Sequence, residues 1–353
     1  MTELLTDSLD PSAGPTQPGR PRRIQSQPWP LAMWGVLLFA LGQAIYLAGV
    51  LLGAFNRLFG GILVVSQNLL WWSGLPVVLG LTLSALDLIF LTPRRRDDVG
   101  IKFEPPTSTD LTVVLTAFND ELSIAQSVLD FKSHPRVQRV IVLDNNSSDE
   151  TRSRASAAGA IVVCHRRPGY GECVHRALTE ASAASDTALT LLCEGDMTFR
   201  AYDIDKFLAY IPHAEIVNGT RVVEQLRSRK TQLTTFMYYG NFAVGKLLEL
   251  KYIGQGTFTD VGTTYKLCRN AALAQLLPNV NPAINLEFNA HFLDRALRQK
   301  LRIVECPITF HSRVGISKGG NVNNLRALKV GVRMILGIVL GFFRLEGMRV
   351  FHG

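Results

Sequence analysis

The residues with the sharpest chemical reading are Glu194-Gly195-Asp196, which close the apolar run Leu189 to Cys193. On an extended segment, carboxylates at i and i+2 point the same way. Two such oxygens suit Mg²⁺ or Mn²⁺, which in turn binds diphosphate oxygens and neutralises charge on a leaving diphosphate. A solvated acidic turn is the competing reading. Three more polar clusters end apolar runs in the same manner. The first is Thr116-Ala117-Phe118-Asn119-Asp120-Glu121, and the second runs from Asp144 to Thr151. A carboxylate at a strand end can accept from a base N–H or a ribose hydroxyl, but Ser147 and Ser148 with Glu150 equally suit a helix cap. The third is Arg166-Arg167-Pro168-Gly169-Tyr170-Gly171. Gly169 and Gly171 permit close backbone approach, and the arginines offer charge to a phosphate. It lacks the G-K-[ST] ending of a Walker loop, and a plain turn would read the same.

These clusters must be held by alternating short strands and helices. Strands are expected at Leu111–Leu115, Arg139–Leu143, Ala160–Cys164, Ala188–Leu192, Glu215–Asn218 and Arg302–Glu305. Helices are expected at Glu121–Phe131, Glu150–Ala158, Glu172–Ala183, Asp203–Tyr210, Lys230–Leu250, Asn270–Leu277 and Leu286–Gln299. The first strands are continuous apolar runs, as in a mainly parallel sheet covered on both faces. Ligands of such sheets bind beyond the carboxyl ends of the strands, where the polar clusters fall.

The remainder of the 353-residue chain is far more apolar. Composition is 47% hydrophobic and 19% charged, with mean hydropathy +0.15. Residues 24–56 and 58–86 contain no Asp, Glu, Lys or Arg, which excludes a wholly soluble protein. Residues 1–30 read as a flexible cytoplasmic tail. Spans are expected at 31–55, about 37 Å of helix, and at 61–91, tilted or broken near Gly74-Leu75-Pro76. Arg20, Arg22 and Arg23 precede the hairpin and Arg94, Arg95 and Arg96 follow it, while the connecting loop holds Arg57 alone. The positive-inside rule puts both ends, and so the domain that follows, in the cytoplasm. Residues 93–106 read as a linker and 107–324 as the α/β domain. In 325–353, Arg326, Lys329 and Arg333 lie on one face of an apolar helix, which suits an amphipathic segment on anionic headgroups or a core-packing helix. The five cysteines form no C-x-x-C pair, so no zinc site or disulfide framework is implied. The net charge of +8 suits an anionic partner. No basic-aromatic stripe for nucleic acid is present.

The four motifs, in this order, resemble the family 2 glycosyltransferases of GT-A fold, above all the polyprenyl-phosphate glycosyltransferases of the dolichyl-phosphate mannose synthase type. The resemblance covers about Leu111 to Lys318. The family's P-x-Y-N-E is matched by Thr116 to Asp120, its D-D-G-S-x-D-G-T by Asp144 to Thr151, and its G-x-G by Gly169 and Gly171. Its D-x-D becomes Glu194-Gly195-Asp196, so Asp196 is favoured over Glu194 as metal ligand. Gly219-Thr220-Arg221 is similar to its G-S-R, and Asp260 to Leu267 to its D-x-x-(S/T)-G-(F/Y)-(K/R) segment without the inner glycine. Glu305-Cys306-Pro307 matches E-x-P. Arg313-Val314-Gly315-Ile316-Ser317-Lys318 matches R-x-G-x-S-K.

The resemblance implies a membrane-bound, metal-dependent, inverting transfer of sugar from a nucleotide diphosphate sugar to a polyprenyl phosphate. Ala117, Asn119, Asp120, Asp144, Gly169 and Gly171 would bind the nucleotide. Asp196, helped by Glu194, would hold Mg²⁺ or Mn²⁺. Arg221, Arg313 and Lys318 would bind the acceptor phosphate, and Asp260 would serve as a base or orient the sugar. Membrane lipids and a homo-oligomeric partner are further expectations. A processive polysaccharide synthase would need Q-x-x-R-W, whereas all four tryptophans precede the α/β domain. Transfer to a lipid hydroxyl would need a true base, for which Asp260 is the candidate. A non-catalytic nucleotide-sugar-binding protein of the same fold is the remaining alternative.

Overall fold

The computed structural model describes residues 30–60, 65–93, 100–183, 186–228, 231–315 and 324–352. Its α/β domain is built on a seven-stranded sheet in the order β3-β2-β1-β4-β6-β5-β7. The strands are β1 (Leu111–Ala117), β2 (Val137–Asp144), β3 (Ile161–Cys164), β4 (Leu189–Glu194), β5 (Ile216–Thr220), β6 (Lys266–Arg269) and β7 (Ile303–Pro307). β1, β2, β3 and β4 pair in parallel, as do β5 and β7. β6 alone runs antiparallel, between β4 and β5. The mainly parallel sheet is therefore as expected, but β6 was missed. Lys-Leu-Cys-Arg is too short and too charged at its ends to declare itself, and it becomes a strand because both flanking strands offer it ladder partners.

Successive residues of the central strands serve opposite faces. Val114, Ile141, Leu143 and Leu192 join one core; Val113, Leu115, Val140, Val142, Leu191 and Cys193 join the other. The helices of this domain are α4 (Ile124–Lys132), α5 (Thr151–Ala157), α6 (Tyr170–Ser182), α7 (Ile204–Tyr210), α8 (Thr235–Lys251), α9 (Asn270–Leu276) and α10 (Phe288–Arg298). In α6 the buried Val174, Ala177, Leu178 and Ala181 fall at helical spacing and cover one face. Ile124, Val128 and Phe131 of α4 cover the other. The expectation that Ile-Val-Val of β3 is buried on both faces fails: β3 is the sheet edge and Ile161 is 54% exposed.

Ahead of this domain stand α1 (Leu31–Phe59), α2 (Val65–Trp72) and α3 (Gly74–Leu86), the last running into a π-helical turn at Asp87–Leu91. Leu31–Phe59 and Gln67–Leu91 are long and apolar enough to cross a membrane. The second is broken at Ser73, one residue before the expected Gly74-Leu75-Pro76, because Pro76 cannot donate back to the preceding turn. Gly35, Gly42 and Gly49 bring α1 onto the second segment. A Cβ on Gly35 would lie 2.5 Å from the Gly80 carbonyl, and one on Gly80 would lie 2.5 Å from that of Gly35. Small residues at such a seam let helix backbones touch where apolar burial gives no preference. Asp87 fixes the ends: its Oδ2 accepts from the Ala32 N–H at 2.7 Å, satisfying a donor that the start of α1 leaves unpaired. The arginines that set the expected orientation (Arg20, Arg22, Arg23 and Arg94 to Arg96) lie outside the described residues.

The last helix, α11, spans Asn324–His352. Met334, Ile338 and Phe342 are buried, and Trp34 of α1 meets Phe342 and Phe343 edge-on at 5.2 and 5.5 Å. Leu325, Leu328, Val332, Leu336 and Leu340 stay exposed. Arg333 turns to Glu287 at 3.2 Å, so part of the basic face looks at the domain.

Candidate active site

The carboxyl ends of β1, β2 and β4 form one edge, and the polar clusters meet there. Glu194 ends β4, and the following turn is pinned from two sides. The Gly195 N–H donates to Thr116 O at 3.0 Å. Ser123 and Ser127, at the start of α4, both donate to Gly195 O, at 2.9 and 3.0 Å. Asp196 is thereby turned inward and is 1% exposed. Its Oδ1 accepts from the Thr198 backbone (3.0 Å) and hydroxyl (2.5 Å). Its Oδ2 is buried without a hydrogen bond, facing the Arg313 guanidinium at 3.2 Å. Burial, and then the charge of Glu194, push the Asp196 carboxyl up to about 6, against the pull of Arg313 and Thr198.

The β1 and β2 loops are stitched together. Asn119 adopts φ 51°, a left-handed conformation that asparagine tolerates. Its N–H donates to Ser147 Oγ at 2.9 Å and its Oδ1 accepts from the Ser148 N–H at 2.8 Å. The Asp120 N–H donates to Thr151 Oγ1 at 2.8 Å. The serines thus bind the neighbouring loop, and the capping alternative is set aside: α5 begins at Thr151 without a side-chain cap. Asp120 accepts from Arg313 Nη2 at 2.9 Å, so Arg313 bridges Asp120 and Asp196. Asp144, fully buried, accepts from Arg152 Nε at 2.5 Å. Ala117 lies buried at the end of β1, its carbonyl accepting from the Asn145 N–H at 2.8 Å.

Other expected residues stand differently. Arg221 and Asp260 were assigned separate tasks, yet they bind each other in a two-pronged pair, Nε to Oδ2 at 2.6 Å and Nη2 to Oδ1 at 2.7 Å. The backbone N–H groups of Arg221 and Gly262 take further lone pairs of Asp260, each at 3.1 Å. Burial would raise this carboxyl, but the Arg221 charge and hydrogen bonds hold it below its ordinary value. A carboxylate so occupied is a poor proton acceptor, so the base role is withdrawn for a physical reason. Arg221 also lies 5.2 Å from the Phe310 ring centroid, and Glu305 holds the loop through the N–H groups of Thr259 (2.9 Å) and Asp260 (3.1 Å).

The glycines need a second correction. A Cβ on Gly171 would lie 1.7 Å from the Ile284 carbonyl and 2.7 Å from that of Pro282. Its smallness is demanded by packing of the segment before α10, whatever lies beyond. Gly169, at φ 144°, has a backbone that side chains rarely allow. Arg166 and Arg167 are exposed. Lys318 lies outside the described residues.

Sequence reasoning gave no role to the residues behind Glu194. Its Oε1 accepts from Thr264 Oγ1 at 2.7 Å, and Thr264 in turn meets Tyr170 Oη at 2.7 Å. Tyr170 was in view only as the spacer between two glycines. Lys266, fully buried, donates to Thr263 O and to Asn289 Oδ1; burial, opposed by the charge of Asp260, brings it down to about 7.

Among the described residues no group of three or more His, Cys, Asp or Glu side chains could cage a metal unaided. The donor set still fits a divalent ion, because Asp196 Oδ2 is a buried anionic oxygen without a hydrogen bond, and Glu194 adds a second hard oxygen two residues away. Two carboxylates, with substrate oxygens and water completing the shell, are the usual protein share for Mg²⁺ or Mn²⁺.

A seven-stranded, mostly parallel sheet with its polar edge at the carboxyl ends of β1, β2 and β4 defines an α/β domain of the class whose ligands bind at the strand ends. Residues 112–277 match the family described as Glycosyl transferase family 2, so the chain carries a domain of that family's type. An uncharacterised glycosyltransferase of Mycobacterium tuberculosis is 35% identical over 112 residues, 31% of this chain and 48% of that protein. The chain thus spans about half the length of this relative. The dolichyl-phosphate hexose transferase of Haloferax volcanii is 25% identical over 213 residues, 60% of this chain and 87% of that protein. Among solved structures, glucosyl-3-phosphoglycerate synthase from Mycobacterium tuberculosis, in complex with Mn²⁺, uridine diphosphate and glucosyl-3-phosphoglycerate, aligns with TM-score 0.47 and 18% identity over 71% of this chain and 82% of that one.

Proposed function

We propose that the chain is a membrane-bound inverting glycosyltransferase that moves a sugar from a nucleotide diphosphate sugar to a polyprenyl phosphate at the cytoplasmic face. The observation that carries this reading is the buried Asp196 carboxylate with its unbonded Oδ2, beside Glu194, at the sheet edge of a family 2 domain. The neighbouring apolar hairpin supports a membrane-held acceptor, and the name of the Haloferax relative supports a polyprenyl phosphate.

Asp120 and Asp144 would read the base and ribose. Asp196 and Glu194 would hold Mg²⁺ or Mn²⁺, which when bound offsets the charge of the departing diphosphate. Arg313, already spanning Asp120 and Asp196, stands where donor and acceptor phosphates converge. The acceptor needs little help. A phosphate monoester loses its second proton near pH 6 (pKa about 6) and is largely dianionic at neutral pH. Its oxygen attacks the anomeric carbon, the bond from that carbon to the diphosphate oxygen breaks, and the nucleoside diphosphate leaves with the electron pair. No proton moves, which accords with an Asp260 fully taken up by Arg221. The same saturation weighs against transfer to a lipid hydroxyl, which must lose a proton. The Arg221–Asp260 pair is instead an orienting unit. α11, with exposed leucines and packed against α1 through Trp34, would lie along the membrane surface.

An extraction assay tests the reading. Detergent-purified protein is incubated with Mg²⁺ or Mn²⁺, a polyprenyl phosphate and radiolabelled UDP- and GDP-sugars, with and without EDTA. The expected result is EDTA-sensitive, acid-labile label in the organic phase. Nucleotide binding without label in any combination would overturn it.

A further inference from the structure

Behind Glu194 runs a line of hydrogen bonds whose direction is fixed at both ends. Lys266 Nζ donates to Asn289 Oδ1 at 3.4 Å. The Asn289 amide is oriented a second time by the Gly262 carbonyl, which can only accept, at 3.2 Å from Nδ2. Nδ2 also donates to Tyr170 Oη at 3.0 Å. Tyr170 must then give its own proton to Thr264 Oγ1 at 2.7 Å. Thr264, having accepted, gives its proton to Glu194 Oε1 at 2.7 Å. A carboxylate only accepts, so the line ends there. Thr264 and Lys266 are at most 2% exposed and Asn289 is 5% exposed, while Tyr170 and Glu194 are half-buried.

The members come from four separate places: the start of α6, the loop before β6, β6 itself and α10. Nothing in local chain geometry requires them to meet. Gly171 is what lets them: its missing Cβ admits the backbone of 282–284, and Asn285 Oδ1 then accepts the Tyr170 N–H at 2.8 Å. That seats Tyr170 and the start of α10 against each other.

We propose that Thr264, with Tyr170 and Asn289 behind it, is a positioning device for the divalent metal: it fixes Glu194 by Oε1 and so presents the remaining oxygen, beside Asp196, in one orientation. This rests on the reading of Glu194 and Asp196 as metal ligands. Groups hydrogen-bonded behind a ligand hold its rotamer and orientation, and their loss typically costs about 10–100-fold in metal affinity. A glutamate freed of Thr264 would have to lose side-chain freedom each time the ion binds.

Mn²⁺ binding by purified protein is read from loss of the free-ion electron paramagnetic resonance signal, with UDP and, in a parallel series, GDP present. Melting temperature is measured alongside. Thr264→Val keeps the side chain's shape without the hydroxyl and should weaken Mn²⁺ binding roughly tenfold. Thr264→Ser restores the hydroxyl and should bind as the native protein does. Tyr170→Phe should fall between, because Asn289 Nδ2 can still reach Thr264 Oγ1 at 3.4 Å; it also serves if Thr264→Val does not fold. Asp196→Ala and Glu194→Gln separate the two levels. If neither weakens Mn²⁺ binding, the metal reading itself is wrong. If both weaken it while Thr264→Val and Tyr170→Phe bind normally, or Thr264→Ser is as weak as Thr264→Val, the positioning role is refuted.

Discussion

Two buried aspartates stand at the same edge of this sheet, and they have opposite surroundings. Asp260 has Arg221 on both oxygens and two backbone N–H groups besides. Asp196 has Thr198 on one oxygen and an unbonded Oδ2 on the other. Burial raises both carboxyls, yet the net direction is down for Asp260 and up to about 6 for Asp196. The difference separates a carboxylate that maintains structure from one kept available for a ligand. Arg313 faces that oxygen through one nitrogen, an ion pair without a hydrogen bond, while its other terminal nitrogen serves Asp120.

The largest expected effect lies on the open side. Asp196→Ala should cut transfer by a hundredfold to roughly a thousandfold, the range seen when one key electrostatic contact of an active site is removed. Circular dichroism should show the fold intact, since the carboxylate adds only the Thr198 contacts and one ion pair with Arg313, which keeps its second partner Asp120. A variant that keeps its turnover would put the metal elsewhere.

On the closed side the effect should appear in stability. Arg221→Ala leaves the Asp260 charge buried and unpaired, which costs about 3–5 kcal/mol. Urea unfolding should show this loss, and Arg221→Met with Asp260→Leu should recover much of it. If the double variant is as unstable as the sum of its parts, the pair is not the unit described.

A smaller effect, of opposite sign, is expected at Asp196. Its folded carboxyl binds a proton more tightly than the ordinary 3.8 of a free aspartate. Its contribution therefore favours the fold at low pH and is lost as pH rises through about 6. Metal-free Asp196→Asn should accordingly melt higher than the native protein at pH 7, by roughly 2–4 °C for each kcal/mol relieved. The gap should shrink as pH falls from 6 toward 4. For Asp260 the sign reverses: its stabilisation is present above the ordinary carboxylate range and is lost as pH falls through its lowered value. An unchanged melting temperature for Asp196→Asn would remove the contrast between the two residues.

Much of this edge was legible in the sequence, because strand ends concentrate chemistry and each polar cluster followed an apolar run. The four parallel strands β1 to β4 and the placing of Asp120, Asp144, Glu194 and Asp196 could be read from that pattern. Pairings across long separations could not. Arg221 and Asp260 are 39 residues apart in sequence, and each alone looked like a free functional group. Gly171 looked like a ligand-approach glycine, since the backbone of 282–284 that presses on it is invisible to spacing. Thr264 and Asn289 are ordinary polar residues until the fold brings them to Tyr170. The hairpin shows the same division: its two apolar segments were plain, while the Gly35–Gly80 contact and the Asp87 lock on Ala32 were not.

The most direct test is calorimetric titration of UDP and GDP into the native protein and Asp196→Ala, each in Mn²⁺ and in EDTA. The expected result is native binding at least tenfold tighter in Mn²⁺ than in EDTA, with Asp196→Ala equally weak in both. Metal-dependent tightening that survives Asp196→Ala would contradict the assignment of the open carboxylate as the metal's holder.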